Sequence, residues 1–460
     1  MSSNYYDNFE DNSGALAVRV GKALEASKAL RKKASGQASG IPADFEMTSE
    51  FSAAFELMEH TRKHLYITGK AGTGKSTLLQ YFKEKTKKSA VVLAPTGIAA
   101  INIGGATIHS FFRFPSRLIT ENDVRKRKGQ GKLFTKLDTL VIDEVSMVRA
   151  DILDGVDLAL RKNRDRPDEP FGGVQVVLFG DLYQLAPVVE QDLQEYFEEN
   201  YTSPFFFSAN VMHEIQLGKI ELQRIFRQHD PGFIELLNKV RNNEVQPDDL
   251  TELNKRHSYM PHSGDHELAI TLTSTNALAS EINLSKLAAL QTKEYTYEAM
   301  IDGTFEEKSY PTDPKMKLRA GAQVMMLRND QKKRWFNGTL GVIKSLTAEA
   351  IEVEFESGSH WVEPCTWEKI EYAYGGGAIE PKVVGTFIHF PIKLAWAITI
   401  HKSQGKTFDR VIIDLGNGAF THAQTYVALS RCKTFEGIQL KTKIRRSDIR
   451  LDPRVREFLE

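Results

Sequence analysis

Short unbroken apolar runs alternate with helical spacing through the first half of the chain. Phe51, Phe55, Leu57 and Met58 recur at helical spacing, and Leu65, Tyr66 and Ile67 then form a buried strand. A helix opening at Lys75 carries Leu78, Leu79 and Phe82 on one side. Three more strands follow at 90–95, 140–144 and 174–181. Strands of this kind, apolar on both faces and separated by helices, imply a parallel sheet that takes ligands at its carboxyl ends. Asp230 and Pro231 then cap a helix bearing Phe233, Leu236, Leu237 and Val240, and 268–275 opens a second sheet. Between 310 and 390 the period changes to short alternating strands at 322–327, 338–344, 351–355 and 360–362. This predicts a small all-β barrel set into an α/β domain. The α/β texture resumes at 393–400 and 410–415, with helical spacing on to Arg431. Residues 1–44, rich in Ser, Gly, Ala and charge, read as a disordered tail.

The first strand runs directly into Gly69-x4-Gly74-Lys75-Ser76, the phosphate-loop spacing in its strand-to-helix setting. Glycines let backbone N–H groups approach phosphate oxygens, and the helix start aims its positive end at the same anion. Lys75 is placed for the β and γ phosphates and Ser76 for Mg²⁺. The third strand ends in Asp143 and Glu144. One carboxylate suits a hard cation and the next suits orienting or deprotonating water. Gln184 stands just past the fourth strand. A nucleoside or small-molecule kinase and a nucleotide switch share this loop, and DNA-dependent hydrolysis separates them from a motor.

Composition narrows the setting. Lys plus Arg and Asp plus Glu are equal at 60 each, so a nucleic-acid site must be a local groove. Cys365 and Cys432 lack metal-ligand spacing and fit a reducing compartment. Apolar runs are far shorter than a membrane span, and Asp7, Glu10 and Asp11 argue against a transit peptide. A cytoplasmic or nucleoid-associated protein, of bacterial or phage rather than organellar origin, is expected.

The remaining motifs stand in a fixed order. Ala94-Pro-Thr-Gly-Ile-Ala-Ala100, Thr107-Ile-His-Ser-Phe-Phe112, Val141-Ile-Asp-Glu-Val-Ser-Met147 and Gly180-Asp-Leu-Tyr-Gln-Leu-Ala-Pro187 come first. Phe226-Arg-Gln228, Ile400-His-Lys-Ser-Gln-Gly-Lys-Thr407 and Tyr426-Val-Ala-Leu-Ser-Arg-Cys432 follow. With Pro170-Phe-Gly-Gly173, they make the chain from 45 to 460 resemble the Pif-one (petite integration frequency) family. These are superfamily 1B DNA helicases related to RecD-type helicases.

The resemblance implies an α/β fold of two RecA-like P-loop lobes with parallel sheets, and a Src-homology-3-like barrel inserted in the second. The first lobe would span 45–222, with a basic duplex-splitting wedge at 113–136. The second would span 223–309 and 391–460, with the barrel at 310–390. The implied activity is ATP- and Mg²⁺-dependent 5′→3′ translocation on single-stranded DNA. A monomer would unwind duplexes at single/double-strand junctions, with G-quadruplexes among the family's substrates, in replication, repair or telomere-type maintenance.

Residue by residue, the resemblance assigns Lys75, Glu144, Gln184, Arg227 and Arg431 to catalysis. It assigns Gly69, Gly72, Thr73, Gly74, Lys75, Ser76, Thr77, Gln404 and Gly405 to the nucleotide, and Ser76 and Asp143 to Mg²⁺. Thr96, Gly97, His109, Asn276, Thr399, His401 and Lys402 match positions near bound single strand. Trp335, Trp361 and Trp367 are expected in the barrel core. One position departs from the family: Phe51 stands where its adenine-reading glutamine usually does, which leaves selectivity for ATP over other triphosphates open.

Overall fold

In the computed structural model, which describes residues 47–224, 228, 230–257, 268–330, 332–419 and 421–460, the apolar runs become two parallel sheets. The expected tail at 1–44 and Arg227 lie outside those residues. The first sheet holds β1 (His64–Gly69), β2 (Ala90–Ala94), β3 (Ala106–Thr107), β4 (Thr139–Ile142), β5 (Gln175–Phe179) and β6 (Leu217–Leu222). Their order is β3-β2-β4-β5-β1-β6, and every neighbouring pair is parallel. Side chains alternate across a strand, so each strand feeds two cores. On β1, Leu65 and Ile67 join Phe51, Met58, Leu78 and Phe82 on one face, while Tyr66 joins Phe111, Phe134 and Leu153 on the other. The 113–136 excursion lies on this second core: Phe114, Ile119, Val124, Leu133 and Phe134 are buried in it. In the basic run Arg125, Lys126 and Lys128 are exposed, whereas Arg127 bonds the Phe111 carbonyl and donates its own N–H to Asn163 at 2.7 Å.

The second sheet starts with β7 (Ile270–Thr273), after which the chain leaves for a long antiparallel excursion. β8 (Glu294–Glu298), β9 (Met300–Gly303), β10 (Lys315–Arg319), β11 (Gln323–Met326), β12 (Leu340–Leu346) and β13 (Ile351–Phe355) come first. β14 (Gly358–Val362), β15 (Cys365–Gly375), β16 (Ala378–His389) and β17 (Ile392–Leu394) complete it. The chain then returns as β18 (Ala397–Thr399), β19 (Val411–Asp414) and β20 (Ile438–Leu440), giving a parallel sheet of order β18-β7-β19-β20.

The excursion holds more sheets than the single barrel expected at 310–390. A five-stranded antiparallel sheet, β14-β13-β12-β11-β17, has its own core of Trp335, Ile343, Val353, Phe390 and Ile392. The long β15–β16 ribbon forms a separate three-stranded sheet with β9. Residues 393–400 hold the end of β17 and all of β18, in different sheets. Alternation along a strand reports that one face is buried and says nothing of which strand lies beside it, hence the division of the excursion among sheets. Trp335 is in the core of the five-stranded sheet, but Trp367 is buried on the ribbon with Phe305 and Phe387, and Trp361 is 46% exposed on the outer strand β14.

Two elements of the second half pack into the first lobe. The ribbon buries Tyr372 beside Phe111, and its hydroxyl lies 3.3 Å from the Val92 N–H and 3.4 Å from the Val92 carbonyl. Pairing of β2 with β3 begins only at Leu93, so Tyr372 supplies hydrogen bonds that the two-residue β3 is too short to give. The C-terminal helix Pro453–Leu459, capped by Asp452, returns to the same core with Val455, and Phe458 stacks on Phe207 at 4.5 Å between ring centres. Tyr372→Phe should therefore loosen Val92 locally by about 1 kcal/mol, the net worth of one such hydrogen bond. Amide hydrogen exchange should show faster exchange at Val92 with the β4–β5 amides unchanged; unaltered protection at Val92 would mean the ribbon does not support β2.

Candidate active site

The loop between β1 and the helix Lys75–Lys85 is shaped by backbone. Gly74 caps the helix at φ +85°, a left-handed conformation that a side chain strains. A Cβ there would also sit 2.8 Å from the Phe51 ring, whose residue is 3% exposed beneath the loop. Thr73 is buried and its hydroxyl donates to the Lys70 carbonyl at 2.9 Å. Lys75 Nζ donates to the carbonyls of Gly69 at 2.6 Å and Lys70 at 3.2 Å, so the ammonium lies over the loop. Burial lowers its pKa, while Asp181, Glu144 and Asp143 oppose that shift. Ser76 is exposed, and Gly72 and Thr77 are partly so, on the same opening turn.

Asp143 and Glu144 leave the end of β4 side by side, with Glu144 in the left-handed region at φ +51°. Burial raises both carboxyl pKa values, and for Glu144 the adjoining Asp143 charge adds to the rise. Lys75 opposes it for both, and Arg431 of the second half opposes it for Glu144. The second lobe also touches this centre directly. Gln404 Nε2 donates to Glu144 Oε2 at 3.1 Å and to Gln184 Oε1 at 3.3 Å. Gln184 Nε2 in turn donates to Asp181 Oδ2 at 3.0 Å. Arg431 is 1% exposed and held by its own lobe: Nε donates to the Val427 carbonyl at 2.9 Å and Nη2 to Ser430 Oγ at 2.9 Å. Gly405 follows Gln404 at φ +74° with open space around it.

The structure thus gathers Lys75, Asp143, Glu144, Gln184, Gln404 and Arg431 around one cleft. It adds Asp181 and Arg241, which the motif reading did not single out. Arg241 had a signal: it follows Leu237 by four residues, on the apolar stripe of the helix Pro231–Asn242. A charge on a buried face is the observation to pursue.

The nucleic-acid candidates form two groups at the carboxyl ends of the two sheets. Thr96 follows β2 and caps the helix Gly97–Asn102, accepting from the Ala99 N–H at 3.2 Å. A Cβ on Gly97 would lie 2.5 Å from Ser309 Oγ, so the excursion packs directly on this turn. His109 lies in the helix after β3, its pKa lowered by burial and then by Lys308 and Arg149. In the second sheet Asn276 is exposed beyond β7, and Lys402 beyond the adjacent β18. His401 is half-buried, and burial lowers its pKa. Thr399 is 4% exposed and accepts from the Lys402 N–H at 3.3 Å, shaping that turn rather than presenting its hydroxyl outward.

Comparison with known proteins agrees with this architecture. Residues 47–249 match the model of the PIF1-like helicase family. Over 431 residues the chain is 30% identical to the ATP-dependent DNA helicase Pif1 of Bdellovibrio bacteriovorus, covering 90% of this chain and 92% of that protein. This chain belongs to the Pif1 family. It is also 31% identical to human PIF1, of whose length the match covers 64%. Unliganded Pif1 from Bacteroides superposes with TM-score 0.84 at 41% identity, over 90% of this chain and 97% of that one. The same Bacteroides helicase bound to single-stranded DNA gives 0.66 over 90% of this chain and 96% of that one. Within this Pif1-family site, Gly74→Ala adds backbone strain of about 1–3 kcal/mol and a clash with Phe51. Titration with a triphosphate should show binding weakened roughly five- to a hundredfold; unchanged affinity would mean the loop does not hold the phosphates.

Proposed function

We propose that this protein is an ATP-dependent DNA helicase whose hydrolytic site is completed across the cleft between its lobes. The observation that carries the reading is the Gln404–Glu144 hydrogen bond, which joins the second lobe to the carboxylate beside the phosphate loop. The names of its relatives support ATP and DNA as substrates, since Bacteroides Pif1 has been seen with ADP-AlF4 and with single-stranded DNA.

In this reading the phosphate-loop amides and Lys75 bind the β and γ phosphates. Glu144 accepts a proton from the attacking water as the new P–O bond forms and the bond to ADP breaks. Gln184 orients the water, and Arg431 with Arg227 neutralises charge developing on the γ-phosphoryl oxygens. Arg431 is buried against its own lobe, so it acts from a fixed position that lobe closure brings to the phosphate.

Ser76 and Asp143 fit a Mg²⁺ site. Two adjoining carboxyls with burial-raised pKa values call for a second cation beside Lys75, and the exposed Ser76 hydroxyl lies on the same turn. Among the described residues no cluster of three or more His, Cys, Asp or Glu forms a protein cage. That suits an ion held mostly by phosphate oxygens and water. When bound, it would neutralise phosphate charge.

Single-stranded DNA would cross the carboxyl ends of both sheets, past Thr96, Gly97 and His109 and then Asn276, His401 and Lys402. Lys393, Lys402 and Lys406 add positive charge there. Burial takes Lys393 down to about 7, helped by Lys406 and Lys402, and takes Lys406 down to about 8; a phosphate seated nearby favours the charged forms of both. Movement 5′→3′, a junction-splitting role for the 113–136 excursion and action as a monomer complete the proposal.

Hydrolysis should rise at least tenfold on adding oligo-dT, and the stimulation should fall as salt rises, because phosphate contacts release counterions. Duplexes with a 5′ single-stranded tail should unwind and those with a 3′ tail should not. Hydrolysis indifferent to DNA points instead to a kinase or a nucleotide switch. Phe51 gives a separate expectation. An apolar ring against Gly74 offers no amide to read adenine, so kcat/KM for ATP and GTP should differ by less than about tenfold, the worth of one hydrogen bond. A preference for ATP beyond a hundredfold would place base reading elsewhere.

A further inference from the structure

Arg241 is a second-lobe residue buried at the heart of the cleft, and the phosphoryl-transfer chemistry described above does not use it. It ends the apolar stripe of the helix Pro231–Asn242 and is 9% exposed. Its guanidinium carbon lies 3.7 Å from the centre of the Tyr183 ring, and Nη2 lies 3.5 Å from Asp181 Oδ1. Nε is buried without a hydrogen-bond partner among the described residues. The charge is close enough to depress Lys70 and Lys75 of the phosphate loop. A buried guanidinium with an incompletely satisfied fork is costly to keep, so an apolar replacement here would be cheap for folding alone.

Its partner explains its position. Asp181 is 1% exposed, accepts the Tyr183 N–H at 3.1 Å and accepts Gln184 Nε2 at 3.0 Å. A carboxylate only accepts, so Asp181 forces Gln184 to turn its NH₂ inward and leaves the Gln184 carbonyl oxygen facing Gln404. Gln404 Nε2 donates to that oxygen at 3.3 Å and to Glu144 at 3.1 Å. One chain of contacts therefore runs Arg241–Asp181–Gln184–Gln404–Glu144, and it crosses between the lobes three times.

We propose that Arg241 is a positioning residue for hydrolysis. From the second lobe it anchors Asp181, which fixes the amide of Gln184 and so the seat of Glu144. The inference rests on the assignment of Glu144 and Gln184 to the hydrolytic step.

The test is steady-state ATP hydrolysis by the full chain with saturating oligo-dT, comparing Arg241→Ala, Gln184→Ala and the double variant, with Glu144→Gln as control. Arg241→Ala should lower kcat roughly ten- to a hundredfold, as members of one hydrogen-bonded network do, with the KM for ATP moving less than about threefold. In the Gln184→Ala background the same change should cost less than about threefold more, because the group it positions is gone. Arg241→Lys, which keeps the charge but not the planar stack on Tyr183, should recover part of the loss. Affinity for fluorescent oligo-dT should stay within about twofold in all variants.

Multiplicative losses in the double variant overturn the proposal, as does a raised KM at unchanged kcat, which would make Arg241 a phosphate ligand. If Arg241→Ala melts below the assay temperature, Asp181→Asn keeps the volume and carries the same comparison against Gln184→Ala. Glu144→Gln separates the two levels. Undiminished turnover in that control removes the underlying site assignment, whereas stalled turnover with multiplicative Arg241 and Gln184 losses removes the Arg241 role alone.

Discussion

Glu144 is held from across the cleft. Two carboxyls adjoin at the end of β4 in a setting whose burial disfavours their charged forms, and only Lys75 on the first lobe opposes that for both. The other stabilising contacts to Glu144, the Gln404 amide and the Arg431 charge, belong to the second lobe. The surroundings of Glu144 are therefore built by both lobes. Each sheet has its own apolar core, and Leu185 of the first lobe reaches into that of the second. Electrostatic preorganisation then depends on how the lobes are docked.

The ties between the halves differ in strength. The C-terminal helix places Val455 and Phe458 against the first-lobe core, and burying such side chains is worth about 1.5–3 kcal/mol each. The Tyr372 hydroxyl on Val92 is a hydrogen bond of about 1 kcal/mol backed by a ring contact with Phe111. The Gln404 contacts of 3.1–3.3 Å at the centre are polar and exchange readily with water or phosphate. The apolar tie of the C-terminal helix lies away from the cleft, whereas the cleft holds these polar contacts beside the buried Arg241, which stacks on Tyr183 and faces Asp181.

Both parallel sheets were legible because continuous apolar runs leave few alternatives, and the phosphate loop because its spacing is tied to backbone geometry. Asp143, Glu144 and Gln184 could be placed from their positions at strand ends. The partnering of strands in the antiparallel excursion was hidden: β12, β13, β15 and β16 share one period, yet two belong to the five-stranded sheet and two to the ribbon that reaches the first lobe. Tyr372 reads as an ordinary strand residue until the topology puts it beside Val92. Gln404 shows the same limit within the site. Its motif places it near nucleotide, but only the fold reveals that it bonds the carboxylate of the opposite lobe.

The arrangement of these units matches one state of a relative. Unliganded Bacteroides Pif1 superposes at TM-score 0.84 and its single-strand complex at 0.66, at the same 41% identity and 90% coverage of this chain. Because the protein compared is the same, the lower score measures rearranged units rather than a different fold. This chain therefore stands in the arrangement of the DNA-free relative, and its inter-lobe contacts describe that state. Contacts made by the excursion on the first lobe, Tyr372 on Val92 and Ser309 over Gly97, flank the turn that carries Thr96.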